Sequence, residues 1–189
     1  MTTQSRPGTN QFMLPTHLTT NILFVFIATI LIALIGWLVT SDMLPWIALE
    51  GAMGPSNFSG IARTVLTVWM FTALIITFVL PVGVLVVWWR DAHVRVLLAP
   101  YTILLLIQVP TEMISAQLFF SNIVIVIGFI YTLYRIYHLW YAQKLARQFA
   151  WATPLRARVT TSIVWTGLCF WSCNALFLIW TFTTRIIQW

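Results

Sequence analysis

Glu112 stands in "YTILLLIQVPTEMISAQLFF", residues 101–120, a stretch otherwise apolar enough to sit in a bilayer. Inside hydrocarbon a carboxylate can hold a proton, pair with a cation or fix the polar head of a ligand. Placing a charge there costs about 3 kcal/mol on the most lenient insertion scale, so an intramembrane carboxylate marks a functional position by default. In a water-facing turn the same group is only a surface charge.

Two placements compete. A turn over residues 110–117 would put Glu112 in water and leave a third span of about 17 residues from Val94, the low end of what crosses a bilayer. A turn at Phe120, Ser121 and Asn122 would instead hold Glu112 about 12 Å below the outer edge. The spacing favours the second. Tyr101, Gln108, Glu112 and Ser115 follow one another at intervals of 7, 4 and 3, and at 100° per residue they fall within an arc of about 60° on a helix. A loop has no reason to keep that order. Pro110 is compatible with a bent membrane helix, since a neighbouring side chain can bond the Leu106 carbonyl it frees.

The next span offers partners. Tyr131 is close enough to donate a hydrogen bond, whereas Arg135 lies about 9 Å deeper and needs two long side chains to reach. Asn174, at mid-depth on the last span, also needs a partner, and a neutral Glu112 hydrogen-bonded to Tyr131 or Asn174 fits the sequence as well as an ion pair with Arg135. The candidate ligand-binding or polar intramembrane set is therefore Gln108, Glu112, Tyr131, Arg135 and Asn174. A structural polar contact gluing helices is the plainer reading of the set, and no second carboxylate lies at the same depth to make a proton relay.

Other chemistry finds little support. Four acidic residues in the chain leave little for general acid–base work, and no paired carboxylates, glycine-rich phosphate loop or Ser/His/Asp set appears. His17, His93 and His138 do not share a metal-ligand spacing. Cys169 and Cys173 lie inside an apolar run and read as buried thiols. No catalytic residue and no metal site is expected, and the sequence does not specify a cofactor. With Ser162 and Thr166 the two cysteines form a stripe at intervals of 4, 3 and 4, which predicts a small-residue seam against another helix. Trp171 is deep for an interfacial anchor, which suits a cavity wall.

These residues ride on a chain of 189 residues that is 60% apolar and only 7% charged, too poor in polar groups to cover a soluble domain. The expected fold is an all-α integral membrane protein, a bundle of five transmembrane helices, because an apolar run satisfies its backbone in lipid only as a helix or a closed barrel. The spans are drawn at about 21–40, 64–89, 94–119, 122–141 and 160–183. Residues 1–20 form a polar segment, and 21–189 form one membrane domain. The first apolar run is too long for a signal-peptide core and is expected to remain as a span.

Behind the net charge of +6, basic residues cluster in two loops, Arg90 and Arg95 in one and Lys144, Arg147, Arg156 and Arg158 in the other. They serve topology and lipid headgroups rather than nucleic acid. The amino terminus is therefore expected inside and the carboxyl terminus outside, with Trp88, Trp89, Trp140 and Trp151 at the inner interface and Trp37, Trp46 and Trp189 at the outer one. The first outer loop predicts a short surface helix after Ser41 or Asp42, with Pro45 in its first turn and Gly51 at its end. Asn57, Phe58 and Ser59 match a glycosylation acceptor. The fourth helix is expected to run on past the membrane until Pro154 as a basic, aromatic interfacial extension.

The leading functional expectation is a non-catalytic subunit or assembly factor of a membrane complex, in a bacterial-type inner membrane or its equivalent. A small transporter or lipophilic-ligand-binding protein using the polar face of the third span is the alternative, and a membrane enzyme comes last. The partners that follow are the lipid bilayer and either other membrane subunits or a lipophilic ligand.

Overall fold

In a computed structural model of the chain, residues 13–43, 59–119 and 123–186 are described. The proposed surface helix at 44–51, Trp46, Asn57 and Phe58, the turn at 120–122 and Trp189 lie outside the described residues. All the regular structure described is helical: α1 Met13–Thr40, α2 Gly60–Leu74, a π-helical turn Ile75–Val79, α3 Leu80–Val87, α4 Ala92–Leu118, α5 Ile123–Ala146 and α6 Pro154–Ile186. With α2, the π turn and α3 taken as one continuous helix, five helices among the described residues are long and apolar enough to cross a membrane.

Several boundaries differ from the sequence expectation. The first helix begins at Met13 rather than at 21, and the last runs from Pro154 rather than from 160. Thr153 accounts for the early start of α6: its hydroxyl accepts the Arg156 N–H at 3.4 Å, and Pro154 supplies the fixed φ that a first helical turn favours. The expected extension of the fourth helix to Pro154 is overturned. α5 stops at Ala146, where the Trp151 indole N–H donates to the freed Ala146 carbonyl at 3.0 Å. Phe149 and Trp151 then fold over His93, with ring centroids 4.4 and 5.6 Å away. Packing of these rings on the chain itself replaces the helix drawn along the headgroups.

The basic loops meet at one end of the bundle. Asp91, 8% exposed, caps α4 by accepting the His93 N–H at 2.9 Å, and it also takes the Arg156 guanidinium at 3.1 Å. One carboxylate thus ends one helix connection and pins the next. Lys144 lies over the Trp140 ring, 3.5 Å from its centroid, and Arg95 over Trp89 at 5.9 Å.

α4, α5 and α6 make the centre, and α1 and α2 lie against it. Asn21 holds α1 in place: its amide donates to the Pro100 carbonyl at 2.9 Å and accepts the Tyr134 hydroxyl at 2.8 Å. At the other end the Phe119 ring lies against Gly36, where an added Cβ would meet it at 2.5 Å; the close approach needs glycine.

The predicted seam on α6 is wrong. Ser162, Thr166, Cys169 and Cys173 are all exposed. The buried stripe is instead Thr160, Val164, Gly167, Trp171 and Ala175, two residues on and about 200° around the helix. Two demands decide this rotation. Trp171 and Asn174 have polar groups whose partners lie on α4, α5 and α2, and Gly167 lets the Leu139 side chain come within 3.3 Å of where its Cβ would stand. Small size alone did not outweigh those bonds.

Candidate functional site

α4 runs unbroken through Pro100 and Pro110. This puts Glu112 within a helix, six residues before its last one, about 9 Å from the end. The face read from the sequence exists: Tyr101, Gln108 and Ser115 are buried and Glu112 is half-buried. Residues four apart on a helix stand one above the other, and the Gln108 amide N–H donates to Glu112 Oε1. The other end of the same amide accepts: Arg135 Nη2, from α5, donates to Gln108 Oε1.

Cation and carboxylate are therefore joined through an amide rather than directly. Its oxygen faces the guanidinium and its nitrogen faces the carboxylate, so the amide dipole is favourable at both ends. Arg135 is only 1% exposed. Its guanidinium has five N–H donors, but among the described residues Gln108 takes its only hydrogen bond, and Nε is buried with no partner there. Trp171 covers it, with the guanidinium carbon 4.1 Å from the ring centroid, a cation–π contact that replaces part of the lost hydration. The Trp171 indole N–H in turn donates to the Tyr101 hydroxyl at 2.9 Å.

Neither of the other two predicted site residues makes a described hydrogen bond to Glu112 or Arg135. Tyr131 is fully buried beside the Phe24 ring, centroids 5.2 Å apart. Its hydroxyl is buried with no hydrogen-bond partner among the described residues. Asn174 donates to the Thr132 hydroxyl at 3.2 Å and accepts the Trp69 indole N–H at 3.4 Å. It ties α2, α5 and α6 together and leaves Glu112 alone. The expected hydrogen bond from Tyr131 or Asn174 to Glu112 is thus replaced by the bond from Gln108, which sits on the same helix one turn away.

A groove of about 850 Å³ opens over this polar floor. Phe71, Leu74 and Thr77 wall it on one side and Leu106 and Val109 on the other, with Gln108, Glu112 and Arg135 at its base beside Trp171. The π turn shapes the first wall. Pro81 has no N–H for the Thr77 carbonyl, and its ring would crowd that carbonyl in a regular α-helix. The helix widens there, with the Leu80 N–H reaching back five residues to Ile75, and it carries one extra residue. Thr77 is thereby turned inward, 4% exposed, its hydroxyl donating to Ala73 at 2.7 Å.

Neither the π turn nor Thr77 stood out in the sequence. Pro81 inside an apolar run was the available signal, but a proline is also compatible with a plain bend. Among the described residues, no three His, Cys, Asp or Glu side chains group as metal ligands. His93 is stacked under Phe149, and His138 is buried at mid-helix of α5. No protein-family model matches the chain, and no match was found among curated proteins or solved structures.

Proposed function

We propose that this chain is an integral membrane protein that binds a lipophilic molecule with a polar head in the groove between α2 and α4. The observation that carries this is Arg135: a guanidinium almost wholly buried, with one described hydrogen bond, at the base of an otherwise apolar groove. Unbonded donors on a buried cation are costly, and a polar head on an apolar ligand relieves that cost. Apolar walls with a few convergent polar groups are the usual form of a small-molecule site. The geometry therefore favours ligand binding over the subunit or assembly role.

Retention in native membranes tests the reading. The chain purified in its own lipid, extracted with solvent and examined by mass spectrometry, should carry a lipophile near one per chain. Leu74 is exposed on the groove wall, so Leu74→Trp should fill the groove without touching the floor and empty it of ligand. Co-purifying protein subunits with no lipophile would favour the subunit reading instead.

The same proposal places the amino terminus in the cytoplasm of a bacterial-type inner membrane or equivalent. The support is that the basic residues of both connections gather at one end of the bundle, where Arg156 meets Asp91, as cytoplasmic loops rich in Arg and Lys do. Reporter fusions after Gly51 and after Gln148 should report opposite sides, with the second cytoplasmic; the reverse would turn the bundle over.

A further inference from the structure

We propose that the occupant of the groove belongs to the quinone and quinol class: neutral, lipophilic, with a flat ring carrying a hydrogen-bond acceptor and a donor. This rests on the groove being a ligand site at all. Three observations narrow the class.

The first is the charge of the floor. One guanidinium and one carboxylate stand an amide apart. An anionic head drawn to Arg135 would meet Glu112, and a cationic head drawn to Glu112 would meet Arg135. A neutral head avoids both conflicts. It can accept from the guanidinium and, where it carries a hydroxyl, donate to the Glu112 carboxylate, whose Oε1 already takes the Gln108 amide.

Depth is the second. Arg135 falls at the middle of the 24-residue α5, and Gln108 is about 15 Å from the end of α4. The hydrocarbon core is about 30 Å thick, so the floor lies near its centre. The phosphate of a phospholipid and the ester groups of a diacylglycerol belong at the interface, far from this level. A molecule whose only polar groups are ring oxygens has no such anchor. The third observation is the lining: Phe71, Phe78 and Trp171 face the groove, and aromatic side chains pack on a planar ring in offset or edge contacts.

Binding is the whole of the proposal; no bond is made or broken. The test uses the full chain in phosphatidylcholine nanodiscs with a radiolabelled decyl-benzoquinone. Saturable binding is expected, displaced by the corresponding decyl-benzoquinol and not by dioctanoylglycerol or phosphatidic acid. Leu74→Trp should weaken binding of both ring forms by roughly tenfold or more. Glu112→Gln still accepts the Gln108 amide and so keeps the fold. It should weaken the quinol roughly tenfold, by loss of a charged acceptor, while leaving the quinone within about twofold.

If dioctanoylglycerol or phosphatidic acid binds in a manner sensitive to Leu74→Trp and the quinone does not, the class is wrong and the groove reading stands. If no probe shows such sensitivity, the groove is not a ligand site and both proposals fall. Quinone binding unaffected by Leu74→Trp would place it elsewhere on the molecule, and both proposals would fall in that case too. Quinone binding blocked by Leu74→Trp, with Glu112→Gln leaving quinol affinity unchanged, would also overturn the ring-donor assignment.

Discussion

Gln108→Leu is expected to destabilise the bundle by about 3–5 kcal/mol, more than any single change at Glu112. The leucine strips Arg135 of its described hydrogen bond and Glu112 of the amide it accepts. Two ionisable groups lose their described hydrogen bonds, one of them almost fully buried and kept only by its contact with the Trp171 ring, and removing the partner of a buried charge costs in that range. Glu112→Leu leaves Arg135 bonded and unpairs only one amide N–H, so about 1–3 kcal/mol is expected. Glu112→Gln should cost less still.

The triple change Gln108→Leu, Glu112→Leu and Arg135→Leu removes every member of the network together. Replacing a buried ionic cluster by apolar side chains is often neutral or stabilising, so its stability should return to within about 2 kcal/mol of the wild type. Unfolding of the purified variants in mixed micelles, followed by circular dichroism, gives the ranking. A cost below about 1 kcal/mol for Gln108→Leu would mean that the amide does not bridge the two charges.

The sequence contained the helices and the polar face because both follow from local regularities. Runs of about 20 apolar residues dictate span number, and 100° per residue puts Tyr101, Gln108, Glu112 and Ser115 on one face whatever surrounds them. Which residues then touch was beyond that arithmetic. Arg135 meets Gln108 rather than Glu112, since the amide one turn closer intervenes, and only the relative register of α4 and α5 decides this. Asn174 finds Thr132 and Trp69 through the rotation of α6 about its axis. That rotation also turned the small-residue stripe outward, because hydrogen bonds from Trp171 and Asn174 outweigh the gain of close approach. The connection between α5 and α6 shows the same limit: the basic and aromatic run after Tyr141 suits an interfacial helix, yet His93, about 55 residues earlier in the chain, draws Phe149 and Trp151 into a stack.

Deleting Ile75 is expected to destroy the groove and destabilise the bundle by about 3 kcal/mol. The π turn holds one residue more than an α-helix would over the same length, and Ile75 is exposed at its start. Removing it lets the helix close into regular α geometry, and α2 turns by about 100° relative to α3. Trp69 then leaves Asn174 and the Phe170 ring, on which it stacks with centroids 4.5 Å apart. The expected cost is at the low end for losing a core aromatic, because Trp69 is only half-buried. Phe71 and Leu74 leave the groove wall in the same rotation, so lipophile retention in native membranes should disappear. Loss of one side chain is separated from loss of register by reinsertion. One alanine placed after Val79 in the deletion variant restores the residue count between Trp69 and Pro81, and should recover both stability and retention. A deletion variant that keeps wild-type stability and its lipophile would show that the extra residue in the turn sets neither the seat of α2 nor the shape of the groove.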